Sequence, residues 1–229
     1  MLCVSISLSA QSYVADSVLL DAYLRNDMSV WKKYIDSYPP SAVGRQEELR
    51  IEYGYCGYIV AEAKKEGQEA LLPEAKRYVQ LFKSNISHLK SQLPVGHYEM
   101  YMSAAYVYEL RLHESFHPAK SLSLAREAVR LAPDDPMTLM YCATALFYAP
   151  KPFGSKKEAL ELFLRAEQRF VTPQWYNCWW RAAAMMYIAQ CYDKQGNTEE
   201  VIRRTRVALA EYPGYLYLRE TYLPELEAK

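Results

Sequence analysis

The feature that most constrains this chain is a spacing. Ala105 and Ala143 lie 38 residues apart, and so do Ala128 and Ala166. Around the first pair one side-chain pattern recurs: Tyr101, Ala104, Ala105 and Tyr108, then Leu139, Cys142, Ala143 and Leu146. Met185, Ile188, Ala189 and Tyr192 offer a third version of it. Steps of three, one and three residues place each set on one face of a helix. The small members let two antiparallel helices approach closely, and the large ones fill the gap to the next hairpin. A period of this length points to stacked α-hairpins.

Punctuation along the chain agrees with that reading. Turn signals stand at Pro39-Pro40, Gly67, Pro94, His117-Pro118, the run Pro133 to Pro136, the run Pro150 to Gly154, Thr172-Pro173, Gly196-Asn197 and Pro213-Gly214. Between them the apolar residues recur at helical intervals, as at Val14, Val18, Leu19, Ala22 and Tyr23. Helices are expected at about 13–25, 29–38, 45–65, 68–93, 97–116, 120–132, 135–148, 156–170, 175–195, 198–211 and 215–223. Pro73 suits the first turns of the fourth. No strand-like alternation stands out, and 8 Gly against 21 Tyr argue against a glycine-rich β or dinucleotide-binding fold. The expected class is all-α, a right-handed α-hairpin solenoid. Residues 13–94 would form N-terminal hairpins, and 95–229 would form repeats with a capping helix.

Residues 185–213 carry a more specific signal. Ala189, Tyr192, Gly196, Ala208, Leu209 and Pro213 resemble the tetratricopeptide repeat in its small residue, aromatic, turn glycine, second-helix alanine, following leucine and closing proline. Ala128 to Pro133 repeats that ending, and Ala159, Phe163 and Ala166 match second-helix positions. The resemblance covers about residues 98–213. It implies a superhelix whose inner face comes from the first helix of each hairpin. By register that face holds Glu99, Met102, Tyr106 and Glu109, then Met137, Met140, Thr144, Phe147 and Tyr148, then Ala183, Met186, Gln190, Asp193 and Lys194. The family's carboxylate clamp uses Lys and Asn in such places, and these residues do not supply it. The expected partner surface is therefore an apolar groove of Met, Tyr and Phe, suited to a helix or extended peptide. The alternative is that the stripe packs against neighbouring helices. Of Trp179 and Trp180, pointing in different directions on one helix, at least one is expected to be buried and the other could be an exposed anchor.

His113-Glu114-Ser115-Phe116-His117 spells H-E-x-x-H, the zincin pattern of two histidines one turn apart with a glutamate to activate water. Pro118 pushes His117 out of helical geometry, Arg111 is charged where such helices are apolar, and no third ligand follows. The motif also lines up with Ala145 to Pro150, since both runs end in proline, as a helix end and its turn. His88 and His97 read as surface residues. No cofactor or metal is expected, since no P-loop, G-x-G-x-x-G or nucleophile elbow is present.

Lys+Arg is 27 and Asp+Glu is 27, so there is no electrostatic case for nucleic acid. No apolar run approaches the roughly 18–20 residues of a membrane span. Residues 1–10, MLCVSISLSA, resemble the end of a secretory signal cut after Ala10, without its basic region. That suggests export, with a cytoplasmic protein as the alternative. The five cysteines contain no C-x-x-C, and Cys56, Cys142 and Cys191 read as buried thiols. The functional expectation is a non-catalytic scaffold for a protein or peptide partner. A zinc metallopeptidase on His113, Glu114 and His117 is the runner-up, and self-association is the third reading.

Overall fold

The computed structural model describes residues 16–37, 45–113 and 118–228, without the side chains of 45–47. The signal-like residues 1–10, the Pro39-Pro40 turn, and Glu114 and His117 of the HESFH motif lie outside the described residues. The described chain is all-helical, with no strand among the described residues. Its helices are α1 (16–24), α2 (Ser29–Ser37), α3 (Arg45–Glu62), α4 (Leu72–Leu89), α5 (His97–Arg111) and α6 (Pro118–Leu131). They continue with α7 (Pro136–Tyr148), α8 (Lys156–Arg169), α9 (Trp179–Lys194), α10 (Thr198–Glu211) and α11 (Leu223–Glu227). A π-helical turn, Tyr217–Tyr222, precedes α11. None of the described helices is long and apolar enough to cross a membrane.

The helix ends follow local chemistry. Asp135, Ser155 and Asn197 cap α7, α8 and α10, each accepting a hydrogen bond from the backbone N–H three residues on. Pro136 takes the first position of α7, where its missing N–H costs nothing. Gly196 turns the chain after α9 at a φ of 75°, a left-handed conformation that glycine adopts without strain. Helix α5 ends at Arg111 rather than near 116, because His113 sits at a φ of 60° and cannot continue a right-handed helix. Replacing Asp135 by alanine should cost about 1 kcal/mol, read as a lower urea midpoint at unchanged slope.

The chain forms two compact units, Trp31–Pro133 and residues 16–30 with 134–228. Within Trp31–Pro133, α4 packs on both α3 and α5, and α5 packs on α3 and α6. Trp31, Phe82, Ile86, Met100 and Ala105 are fully buried there. Ser103 and Ser121 each donate to the other's carbonyl oxygen, at 2.5 and 3.1 Å, and so tie α5 closely to α6. On α3, Glu52 is 3% exposed and accepts from the Asn85 amide at 2.6 Å. Its second carboxyl oxygen has no hydrogen-bond partner among the described residues. A cavity of about 20 Å³ beside it is lined by Ile35, Glu48, Ile51 and Glu52, room for one water.

In the other unit α7 packs on α8, α8 on α9, α9 on α10 and α10 on α11. Burial repeats through the hairpins of both units. The second helices bury one stripe each: Ser121, Ala125 and Ala128 on α6, Ala159, Phe163 and Ala166 on α8, Val201, Thr205 and Ala208 on α10. The first step between these triplets is 38 residues and the second 42. The first helices α5, α7 and α9 are instead buried on several faces, including the recurrent sets at Ala105, Ala143 and Ala189. A second helix therefore covers its partner from one side, while a first helix lies between neighbours.

Candidate functional site

The site residues expected from sequence divide between the two units. Met102, Tyr106 and Glu109 belong to Trp31–Pro133. Met102 and Glu109 are buried, and Glu109 pairs with Lys83 at 2.5 Å. Tyr106 is half-buried, with the Lys120 and Lys83 ammonium groups 4.6 and 5.6 Å from its ring centre. This is a lysine-flanked aromatic surface rather than a wholly apolar groove.

The remaining residues lie on α7 and α9. Met137, Met140 and Phe147 are buried, and Thr144 is half-buried with its hydroxyl donating to the Met140 carbonyl at 2.9 Å. Tyr148, in contrast, is 64% exposed. Its ring meets Phe147 and Tyr187 edge-on at 5.0 and 6.1 Å, and Tyr187 stacks flat on Phe163 at 5.2 Å. Lys156 lies 4.2 Å above the Phe147 ring, where burial lowers its pKa. Trp175 meets Phe170 edge-on at 5.7 Å. Trp179 and Trp180 are both buried, so neither is an exposed anchor; the nearby Tyr176 is half exposed.

On α9 the positions Trp179, Ala183, Met186 and Gln190 step by four, three and four residues and form one stripe. Tyrosines from the two ends of the chain lie along it. The Tyr23 ring of α1 sits 5.4 Å from that of Trp179 and 5.6 Å from that of Tyr215. The Tyr23 and Tyr215 hydroxyls are 2.9 Å apart, and the Tyr215 hydroxyl donates to the Met186 sulfur at 3.1 Å. Since that commits the Tyr215 hydrogen, Tyr23 is the donor to Tyr215. At the far end the Gln190 amide donates to the Tyr217 hydroxyl, and Tyr217 stacks on Tyr222.

Burial pushes the Tyr23 phenol well above its ordinary value, with Tyr215 and Tyr148 adding to the rise. Burial likewise raises Tyr215 and Tyr217. All three are therefore neutral hydrogen-bonding rings at physiological pH. Such a surface can hold a ligand by shape, apolar contact and hydroxyl hydrogen bonds. The helical periodicity reached Phe147, Tyr148, Met186 and Gln190. It did not reach Tyr23, Tyr187, Tyr215 or Tyr217 as members of one cluster. Only the abundance of tyrosine hinted at them, because Tyr23 and Tyr215 are 192 residues apart in sequence.

Of the HESFH motif the structure describes His113 alone. His113 lies beyond the end of α5 in a left-handed conformation, and its Nε2 is 3.1 Å from the Lys64 ammonium. No group of three His, Cys, Asp or Glu side chains converges among the described residues. His88 is exposed, but His97 is buried rather than at the surface, with Tyr101 edge-on at 6.0 Å. It opens α5 at a helix that is buried on several faces, which leaves it no solvent side. Cys56, Cys142, Cys178 and Cys191 are buried, and burial raises Cys191 to about 12, which leaves it an inert thiol at neutral pH. No family model, curated protein or solved structure matches the chain.

Proposed function

We propose that this chain is a non-catalytic protein-interaction scaffold, a right-handed α-hairpin solenoid of the tetratricopeptide-repeat type. It takes its partner on the aromatic surface around Tyr148, Tyr187 and Tyr217. The observation that carries the reading is the exposure of Tyr148, 64%, and Tyr217, 40%, beside the α9 stripe. Tyrosine at an accessible, pre-packed position supplies a large contact area at little cost in side-chain entropy. The recurring buried triplets on α6, α8 and α10 support the repeat reading, since each lies on a second helix that packs on the first helix of its own hairpin.

A photo-crosslinking amino acid at position 148, compared with one at Arg203 on α10, tests this in the cells that make the protein. A discrete crosslinked species at 148 and not at 203 is the expected result. Equal labelling at both positions, or none at 148, would sink the proposal.

A further inference from the structure

We infer that the α9 stripe accepts an amphipathic helix led by a tyrosine, that α1 is its resident occupant, and that an external partner is a helix of the same chemistry that displaces α1. The inference rests on the reading of this surface as a docking site and adds what docks there. Its ground is the placement of α1. That helix belongs to the compact unit formed with residues 134–228, yet the whole of Trp31–Pro133 intervenes in the chain before that unit continues. A short turn joins α1 to α2, and the ring contacts of Tyr23 with Trp179 and Tyr215 set α1 against the stripe.

Leu19, Leu20 and Ala22 of α1 are buried and Tyr23 is half-buried against Trp179 and Tyr215. Leu19 and Tyr23 are four residues apart and share a face, so α1 presents the leucine-and-tyrosine edge of a helical ligand. Its nine described helical residues are too few to persist as a helix in water without a surface to lie on. The turn after α1 is formed by Asn26 at a φ of 57°, with the Asp27 N–H donating to the Ala22 carbonyl, a short tether that can stay in place while the helix leaves.

A tethered helix competes at an effective concentration on the order of millimolar. A free helix of equal intrinsic affinity therefore binds weakly, and weakening α1 should unmask the stripe.

The test is titration of a labelled synthetic peptide of residues 16–28 into the full chain. Against the Leu19→Ala/Tyr23→Ala double variant the peptide should bind at least about 10-fold more tightly than against the unaltered protein. A peptide carrying Tyr23→Ala should lose about 10-fold or more in affinity for the same variant. Equal binding to both proteins, or none to the variant, overturns the inference. Should the double variant not fold, a protease site placed at residues 25–27 replaces it. After cleavage, exchange of the released N-terminal fragment for labelled peptide supports the inference, and unfolding or failure to exchange overturns it. Light scattering that shows a dimer formed by exchange of α1 between copies would make a second copy the occupant and also overturn it. Crosslinking at Tyr148 reads the docking surface independently, so that surface can stand when the peptide result fails.

Discussion

Replacing Gly54 by alanine is expected to destabilise the protein by about 3 kcal/mol, although glycine lies inside helix α3. In a solvated helix interior the same exchange would be favourable by about 1 kcal/mol. The sign reverses because a Cβ on Gly54 would lie 1.9 Å from Cζ3 of Trp31 and 2.6 Å from Cη2. The indole cannot yield, since Trp31 is fully buried and close-packed interiors leave no space for a large ring to shift. The loss should appear as a fall of about 6–12 °C in Tm. Trp31→Phe in the Gly54→Ala background should restore part of it, because the smaller ring frees the contested volume. A Gly54→Ala protein as stable as the parent would show that α2 and α3 do not meet as described.

The second large effect concerns pH. Burial pushes the Glu52 carboxyl up to about 8 from an ordinary value near 4.5, the Asn85 hydrogen bond opposes the rise, and Glu48 adds to it. The folded protein thus holds a proton that the unfolded chain gives up between those values. Stability from this group is fully present below pH 4.5 and is lost as pH rises towards 8. Glu52→Gln keeps an acceptor for Asn85 and cannot ionise. Its stability relative to the parent should therefore grow by about 3–4 kcal/mol between pH 5 and pH 8. Urea unfolding of both proteins across that range reads the difference directly and cancels every other titrating group. Parallel curves for the two proteins would refute the assignment.

Much of the local structure was legible from residues alone. Helices α7, α8 and α10 end within one residue of their expected bounds, because Asp135-Pro136, Ser155 and Asn197 are signals that act over three or four positions. The 38-residue recurrence identified which small residues would be buried, and Ala104, Ala105, Cys142 and Ala143 are all buried. The end of α5 was less legible. The His-Glu pair there reads as well as a helix continuation as it does as a turn, and only the backbone conformation of His113 separates the two.

The candidate site was legible in part, for a definable reason. Periodicity names the residues that share a helix face, so it found Met186 and Gln190 together. It does not say what lies on that face. Met137 and Met140, chosen for a groove, are buried, while Tyr148 at the end of the same helix is open to solvent. The Tyr23–Tyr215–Met186 chain of hydrogen bonds joins the two termini of the described chain, and no local pattern encodes such a pairing. By itself, then, the sequence determined the all-helical class of the described residues, the turns that open α7, α8 and α10, and the small-residue contacts within its hairpins. These depend on backbone propensity and on side chains a few residues apart. Tertiary structure alone decided which stripes are covered and by what, because burial depends on which distant surfaces meet.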